Sequence, residues 1–495
     1  MDTPEDFDVL IVGAGISGLG AAYHLQQHCP GKRWLILESQ AGYGGTWRMH
    51  RYPGIRSDSD LFTFGYGFKP WMGKPIATAQ EILQYLGEVI DENGLAPHIR
   101  YRHAIRSAQW SSARHRWLIE AEQQGEDGRA LGTVRVTAKF LWMCQGYYRH
   151  AEGYTPQWPG MERFDGRIVH PQTWPDDLAL DGRKVVVIGS GATAATLIPA
   201  IAERCAHVTM LQRSPTFFIT GRNANDLADM LRQLQIPDEW THEIVRRKVL
   251  FDQAAFTRRC VAEPEVVRGE LLAGVRAALG PGHEAEVEKH FNPRYRPWQQ
   301  RIAFVPDADL FKCVREGKAS VVTDQIESFE REGIRLQSGQ VLDADVIVTA
   351  TGFNLSVLGD IAFSIDDQPL DFARTVGWRG AMFSGVPNMA WVFGYFRASW
   401  TLRADLLGDF VCRLLQHMDA RGAQVVTPTM RAEDHGMALR PWVDADNFNP
   451  GYIQRGVAQL PRQGDRQPWL HLQDYAVDKD ELPRADLDDG TLVYG

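Results

Sequence analysis

Phe7-Asp-Val-Leu-Ile-Val12-Gly13-Ala-Gly15-Ile-Ser-Gly18 is a short apolar run that enters a glycine loop, and a helical pattern follows it. Such a run is typical of a strand buried on both faces. Gly13 would allow a tight turn, Gly15 would let the backbone approach a pyrophosphate, and Gly18 would let the helix pack on the strand. The next apolar run ends in Glu38, about twenty residues downstream, where a carboxylate binds a ribose hydroxyl. These features predict a dinucleotide-binding fold at the start of the chain.

A second glycine loop repeats this pattern with different chemistry. Lys184-Val-Val-Val-Ile188 enters Gly189-Ser-Gly191-Ala-Thr193-Ala194, in which Ala194 takes the third glycine position, a permitted variant. The strand that follows ends in Arg213 instead of an acid. Because a guanidinium can bind a ribose 2′-phosphate through two hydrogen bonds, this site is predicted to prefer NADPH to NADH. The alternative for Arg213 is an ordinary solvated side chain.

Two dinucleotide sites in one chain indicate electron transfer from a nicotinamide to a flavin. Disulfide reductases pass these electrons on to a closely spaced cysteine pair. No two of the six cysteines are close enough for a C-x-x-C motif: Cys29, Cys144, Cys205, Cys260, Cys313 and Cys412. No cluster of His, Cys and carboxylate residues shows metal-ligand spacing, so no metal is expected. The flavin is therefore the expected site of reaction with a second substrate, dioxygen.

Composition is that of a globular protein of two or three domains, with 495 residues of which 44% are hydrophobic. A net charge of −9, with both signs scattered along the chain, provides no basic surface for nucleic acid. The acidic first residues lead directly into the first strand, so no signal peptide is expected. No apolar run is long enough to span a bilayer. Together with the scattered cysteines, these features predict a cytoplasmic protein.

The segment between the two loops carries a fingerprint. Phe164-Asp-Gly166-Arg-Ile-Val-His170-Pro-Gln-Thr-Trp174-Pro175 resembles the F-x-G-x-x-x-H-x-x-x-W-P motif of the type I Baeyer–Villiger monooxygenases. Their class also includes the flavin-containing monooxygenases that oxygenate sulfur and nitrogen. The resemblance implies FAD, NADPH and dioxygen. It assigns Phe164, Gly166, His170 and Trp174 to coupling domain motion with cofactor binding. The alternative is a plain linker with one buried aromatic and a capping histidine.

The resemblance extends over nearly the whole chain. Gly44-Gly45-Thr-Trp47-Arg-Met-His-Arg-Tyr52-Pro-Gly-Ile-Arg-Ser-Asp58 is similar to a second family motif, in which Gly45 and Trp47 would contact the flavin and Asp58 would enter the active site. Val348-Thr-Ala-Thr-Gly352-Phe353 matches the segment that returns the chain to the FAD domain. Two later segments, 385–388 and 398–405, resemble the branch that contains the ethionamide-activating monooxygenases.

A catalytic pair follows from the same resemblance. Reduced flavin and dioxygen would give a peroxide on the flavin C4a atom, and its addition to a ketone would place negative charge on the carbonyl oxygen. A fixed cation would stabilise that charge. The family places its catalytic arginine at Arg301, with Arg294 and Arg296 as rivals, and Asp58 would be its partner, with Asp60 as rival. Some members have a lysine directly before this arginine, whereas this chain has Gln300.

The predicted fold class is α/β, with two Rossmann-like dinucleotide-binding domains and a helical insertion. We expect the first part of the FAD domain in residues 1–150 and the NADP domain in 151–340. The FAD domain would be completed by 341–495, which also includes the C-terminal segment. The insertion would cover about 217–300, either as an active-site cover or as a purely structural excursion.

The predicted function is an FAD-dependent, NADPH-consuming monooxygenase that converts ketones to esters or lactones and also oxidises sulfides. Three alternatives stay open. The first is a heteroatom monooxygenase without ketone activity, and the second is an NADPH-dependent flavin oxidase or reductase. The third is a flavoprotein whose cofactors have a structural or partner-binding role.

Overall fold

Two β-sheets organise the chain in this computed structural model, which describes residues 4–495. The first sheet has nine strands and combines a parallel part with an antiparallel hairpin system. Its strands, in spatial order, are Gln368–Pro369, Ala362–Ile365, His103–Ser111, Arg116–Gln124, Ala130–Met143, Glu5–Val12, Trp34–Leu37 and Ile99–Arg100, with Met389–Trp391 beside Ala130–Met143.

The second sheet is parallel throughout. Its five strands are, in spatial order, Ala319–Thr323, His207–Gln212, Lys184–Ile188, Val346–Thr349 and Arg167–Val169. Three of the four neighbouring pairs involve Lys184–Ile188 or Val346–Thr349, whose side chains are almost all buried on both faces. This burial explains why these strands are continuous runs of β-branched residues without polar alternation.

Each predicted glycine loop follows an interior strand of one of these two sheets. Glu5–Val12 runs into helix Ile16–His28, and Lys184–Ile188 runs into helix Ala192–Ile201. Because the strands of each βα unit are parallel, the two helices begin at the carboxyl ends of their sheets, which is where nucleotides bind in such folds. The predicted fold class, two Rossmann-like dinucleotide-binding units, is confirmed.

Helices occupy the segment expected as an insertion. A strand, Phe218–Gly221, comes first and pairs with Ala303–Pro306, and helices follow at Asp226–Gln233, Asp238–Ala262, Pro264–Leu279 and Glu284–Phe291. Phe217 and Phe218, at the start of this strand, are buried in the cores of the second unit. Their burial fixes the position of the chain where it enters the helices. Arg246 anchors the longest helix to the first unit by donating to the carbonyl oxygens of Phe62 and Gly65, both at 2.9 Å.

The remaining helices pack around the first sheet or support the second. They are Thr46–Met49, Leu61–Phe64, Ala79–Glu92, Asp309–Arg315, Trp400–Arg421, Gly451–Gly456 and Tyr475–Glu481. Small antiparallel strand groups complete the fold: Ile326–Glu330 with Gly333–Leu336 and Val341–Asp343, Gly377–Trp378 with Met382–Phe383, Val426–Pro428 with Leu492–Tyr494, and Arg440–Pro441 with Arg462–Gln463. Within residues 4–495, no helix has both the length and the apolar character needed to cross a bilayer.

Two chain crossings connect the units and lie side by side. Tyr148–Gly153 leads out of the first unit, and Phe353–Leu355 leads back from the second. The two segments pair as antiparallel strands. The connection between the units is therefore a short two-stranded ribbon that borders the cavity described next.

Candidate active site

A cavity of about 840 Å³ lies between the two units, and both glycine loops line it. The first loop contributes Gly13 and Gly15, and the second contributes Gly189, Gly191 and Thr193. The connecting ribbon and the C-terminal helix Gly451–Gly456 supply further walls. One cavity is thus shared by the residues expected to hold two different dinucleotides.

The first loop has the backbone shape that a pyrophosphate requires. Gly13 has a φ of +98°, and a Cβ on Gly18 would lie 1.8 Å from the Gly13 carbonyl oxygen. Helix Ile16–His28 follows with no side chain capping its first turn, so its amide groups stay available to an anion. These residues therefore fit the phosphates of FAD.

Glu38 lies at the end of the second strand of this unit, where its side chain is buried and lines the cavity. One carboxylate oxygen accepts a hydrogen bond from the Ala14 amide at 2.7 Å, and the other accepts from the Gln40 amide at 2.7 Å. The Ser39 hydroxyl also donates to the oxygen that binds Gln40, at 3.3 Å, so the oxygen that binds Ala14 is the one that keeps a free lone pair. The carboxylate is thus held in one orientation beside the loop, as ribose binding needs.

The second family motif forms the opposite side of this cradle. Gly45 has a φ of +53°, and a Cβ on Gly15 would lie 3.7 Å from the Gly45 Cα atom. Trp47 lies on helix Thr46–Met49, which follows Gly45 directly. Its side chain lines the cavity and packs edge-on against Phe64. The two glycine turns therefore face each other closely, with an indole beside them.

The second loop is built in the same way. Gly189 has a φ of +126°, and a Cβ there would lie 2.3 Å from the Ala350 carbonyl oxygen. Gly191 precedes helix Ala192–Ile201, which again lacks a side-chain cap, and Thr193 lines the cavity on its first turn. Ala194 is fully buried in the core of this unit, so a methyl group is accommodated where the first loop needs glycine.

Arg213 follows strand His207–Gln212 and is exposed on the cavity wall. Within residues 4–495, its guanidinium makes no side-chain hydrogen bond or ion pair. An arginine without a protein partner at this position is well placed for an anionic group of a nucleotide.

Arg301 and Asp58 lie together in the cavity. The Arg301 Nη2 atom is 3.3 Å from the Asp58 Oδ2 atom, and the two side chains are 34% and 29% exposed. Asp58 is the main cause of a raised pKa at Arg301, so this guanidinium stays charged. The pair is therefore a fixed positive group, partly open to the cavity, with its own counter-ion.

The rivals of these two residues have other contacts. Asp60 caps helix Leu61–Phe64 by accepting from the Phe62 amide at 2.8 Å, and burial raises its pKa to about 6. Arg296 donates to the carbonyl and side-chain oxygens of Asn447, both at 3.1 Å, and Arg294 is exposed. None of the three is among the residues that line the cavity.

The fingerprint residues connect the units. The His170 ring accepts the Gln172 amide at Nδ1, at 3.1 Å, so its proton is on Nε2, which donates to the Gly352 carbonyl oxygen at 3.0 Å. Burial lowers the pKa of His170, in agreement with a neutral ring. Gly352 itself has a φ of +100° and lines the cavity. The ring therefore joins the fingerprint to the segment that returns to the first unit.

The other three members of the fingerprint fix its path. Phe164 is buried in a small core with Val186 and Ile347. A Cβ on Gly166 would lie 2.2 Å from the Asp345 carbonyl oxygen, so this position needs glycine. Trp174 is half-buried against the main core of the second unit.

Sequence reasoning missed a tyrosine cluster beside Arg301. The hydroxyls of Tyr147 and Tyr148 are 3.0 Å apart, and Tyr452 from helix Gly451–Gly456 stacks over Tyr147 at 6.3 Å between ring centroids. Burial raises the pKa of all three hydroxyls, and the charge of Arg301 opposes this shift. Tyr147 and Tyr148 follow the carboxyl end of a strand parallel to the first one, which is a signal that could have found them. No such signal exists for Tyr452.

Among the described residues, the cavity contains no pair of cysteines that could accept electrons from a flavin. All six cysteines are free, and among them only Cys144 lines it. Burial raises the pKa of Cys144, which disfavours a thiolate. One group of three possible metal ligands occurs within residues 4–495, namely His24, His28 and Asp409, and none of these lines the cavity.

Comparison with known proteins identifies the class. Residues 11–86 match the NAD(P)-binding Rossmann-like domain family, and residues 74–232 match the flavin-binding monooxygenase-like family. The chain is 45% identical over 492 residues to the FAD-containing monooxygenase EthA of Mycobacterium tuberculosis, covering 99% of this chain and 98% of that protein. The chain therefore belongs to the FAD-containing monooxygenases of this family.

Solved structures agree on the fold. An oxidised steroid monooxygenase bound to NADP superposes with a TM-score of 0.76 at 23% identity, covering 99% of both chains. A cyclohexanone-bound cyclohexanone monooxygenase superposes with a TM-score of 0.70 at 19% identity, covering 86% of this chain and 90% of the other. At these identities the solved structures show the fold alone. The match to EthA confirms the predicted resemblance to flavin monooxygenases of the ethionamide-activating branch, and the cofactors are FAD and NADPH.

Proposed function

We propose that this monooxygenase carries out Baeyer–Villiger oxidation, inserting one oxygen atom of dioxygen into ketones to give esters or lactones, with sulfide oxidation as a companion activity. The observation that carries the proposal is the Arg301–Asp58 pair of 3.3 Å in the cavity that both glycine loops line. A flavin reductase or oxidase needs no fixed cation at this position. The family shares FAD and NADPH; the ketone substrate and the insertion of oxygen beside its carbonyl group are what we propose for this protein.

Each cofactor has its own set of residues in this proposal. Gly13, Gly15 and Gly18 hold the FAD pyrophosphate, and Glu38 binds its ribose. Gly45, Trp47 and Asp58 contact the flavin side of the cavity. The NADPH set comprises Gly189, Gly191, Thr193, Ala194, Arg213 and Gly352. When bound and reduced, FAD supplies the activation of dioxygen.

Arg301 acts on the ketone oxygen. As an oxygen nucleophile adds to the carbonyl carbon, negative charge develops on that oxygen, and a preorganised guanidinium stabilises it more than the neutral ketone. Asp58 orients Arg301, since their contact of 3.3 Å limits where the guanidinium can point. Tyr147, Tyr148 and Tyr452 line the same cavity, close enough for the charge of Arg301 to act on their hydroxyls.

Phe164, Gly166, His170 and Trp174 couple the units. The His170 hydrogen bond to Gly352 is made at the border of the cavity, so a change in nucleotide position at one loop alters the ribbon that joins both units. This arrangement supports a role in the timing of reduction and oxygen transfer, away from the reacting atoms.

Sulfide oxidation does not require the Arg301–Asp58 pair. A sulfur atom attacks an electrophilic oxygen, and no negative charge develops on a carbonyl oxygen of the substrate. A heteroatom monooxygenase without ketone activity is therefore the second candidate.

The proposal includes a cytoplasmic location, with which the six free cysteines agree.

The test is a product panel. Purified holoenzyme is supplied with NADPH, oxygen and a set of linear, cyclic and aromatic ketones and sulfides, and ester, lactone, sulfoxide and hydrogen peroxide are measured per NADPH consumed. Ester or lactone from any ketone supports the proposal. Sulfoxide alone would favour the heteroatom monooxygenase, and hydrogen peroxide alone would favour the oxidase.

A further inference from the structure

We propose that Arg455, from the C-terminal segment, is a second guanidinium for the 2′-phosphate of NADPH and shares this group with Arg213. The inference deepens the proposed function, because it rests on the role of Arg213 at the nicotinamide nucleotide. Arg455 lies on the short helix Gly451–Gly456, and both arginines line the same cavity.

The position of Arg455 is fixed by two contacts. Its guanidinium carbon lies 3.4 Å from the centroid of the Tyr154 ring, and its Nη2 atom donates to the Phe353 carbonyl oxygen at 3.0 Å. Tyr154 is itself tied to the ribbon, because its amide donates to the Gly352 carbonyl oxygen at 3.0 Å. The guanidinium is therefore held flat against the ribbon, and its other N–H groups are free to donate.

The charges in this part of the cavity are not balanced within the described chain. Arg455, like Arg213, makes no ion pair with a carboxylate among residues 4–495. The cavity wall desolvates Arg455 and lowers its pKa, and the positive charge of Arg213 contributes to the same shift. Asp324, a carboxylate that also lines the cavity, already accepts from the backbone amides of Gln325 and Ser338.

A phosphate monoester explains this imbalance. It carries a charge of about −1.5 to −2 near neutral pH and three acceptor oxygens, which is enough for two guanidinium groups. Gln300, which also lines the cavity, is neutral and adds no cation for a phosphate. Arginine also stacks on an aromatic ring better than lysine, which suits its place on Tyr154.

Binding to oxidised holoenzyme tests the inference without any turnover. Titration calorimetry would give Kd values for NADP+ and NAD+, and for the fragments adenosine 2′,5′-bisphosphate and AMP. Arg455→Met should weaken NADP+ and the bisphosphate by about tenfold or more, as expected for a charge-assisted contact, and leave NAD+ and AMP unchanged. Arg455→Lys should fall between Arg455→Met and the wild type. Arg440→Met, which changes an exposed arginine of the same segment outside the cavity, should match the wild type.

Three results would overturn the inference in distinguishable ways. Unchanged NADP+ binding by Arg455→Met would remove Arg455 alone from the site. Equal losses for NADP+ and NAD+ would place its effect on another part of the nucleotide or on the fold. A wild type that binds both nucleotides equally would overturn the roles of Arg455 and Arg213 together. None of these binding measurements uses a ketone. If the proposed ketone oxidation is wrong, the product panel alone would show it.

Discussion

Arg301 and Asp58 form an ion pair of 3.3 Å although they come from different units of the fold. Asp58 precedes helix Leu61–Phe64 of the first unit, and Arg301 lies between helix Glu284–Phe291 and strand Ala303–Pro306 of the second. The pair therefore forms only when both units are folded and joined. It places a charged guanidinium in the shared cavity without leaving it unpaired.

Removal of Arg301 should separate cofactor chemistry from oxygen transfer. Arg301→Ala should retain FAD and be reduced by NADPH, because neither step needs this cation. Ester formation should fall by roughly a hundredfold or more, the typical loss for one preorganised oxyanion donor, and hydrogen peroxide should appear instead. The measurement is ester and hydrogen peroxide per NADPH consumed. Arg294→Ala and Arg296→Ala serve as controls, and normal ester yield in Arg301→Ala would move the role to one of these residues.

Asp58 should matter only through Arg301. Asp58→Asn keeps the size of the side chain but loses the ion pair that orients Arg301, while the guanidinium stays charged, so ester formation should fall less than in Arg301→Ala. The double variant should be no slower than Arg301→Ala alone if the two residues act as a unit. Additive losses in the double-mutant cycle would show that Asp58 acts on the substrate or cofactor independently.

Asp60 should affect stability and leave oxygenation unchanged. Burial raises its pKa to about 6, above the ordinary value of 3.8, so folding favours the protonated form. Its contribution to stability is therefore present below the ordinary pKa and is lost as the pH rises through about 6. Asp60→Asn keeps a capping oxygen and should be more stable than the wild type at pH above that value, an advantage that disappears in acid. Chemical denaturation at several pH values across this range would give the free energy of unfolding of both proteins. A difference between them that does not change with pH would contradict the raised pKa of Asp60.

Arg213 should control the choice between the two nicotinamide nucleotides. Arg213→Ala should raise the KM for NADPH by about tenfold or more and leave the KM for NADH unchanged, because only NADPH carries the 2′-phosphate. Flavin reduction under anaerobic conditions isolates this step from oxygen transfer. Arg222→Ala, an exposed arginine paired with Asp226, is a suitable control. Equal losses with both nucleotides would be incompatible with phosphate recognition.

The glycine loops were predictable because their requirements are local. Gly13 and Gly189 need positive φ angles, and Gly18 needs a missing side chain, and each need appears within a few residues of sequence. Glu38 and Arg213 were predicted as nucleotide contacts for the same reason, since each follows a strand at a known distance from a glycine loop. The pairing of Arg301 with Asp58 depends on how two units meet, and only the family resemblance pointed to it.

The C-terminal segment shows the limit of the sequence. Tyr452 and Arg455 lie on a helix of six residues with no hydrophobic period long enough to indicate its partner. Their place in the cavity depends on how the chain folds back over the ribbon, a long-range contact that no local pattern encodes. Asp58 and Asp60 could not be separated either, because both precede a helix and only geometry shows which of them caps it.

His170 should control how tightly NADPH oxidation is coupled to oxygen transfer, and a conservative replacement should show whether its hydrogen bond is responsible. The ring donates from Nε2 to the Gly352 carbonyl oxygen at 3.0 Å, so His170→Ala leaves that half-buried acceptor with one bond fewer and loosens the ribbon. FAD should stay bound, because no FAD-loop residue is altered, but more hydrogen peroxide should form per NADPH consumed. His170→Gln keeps a side-chain N–H donor and should restore part of the coupling, while Thr173→Ala, at an exposed neighbour, should behave as the wild type. Loss of FAD on purification from His170→Ala would instead assign the residue a purely structural role, and unchanged coupling would show that this hydrogen bond does not connect the two units.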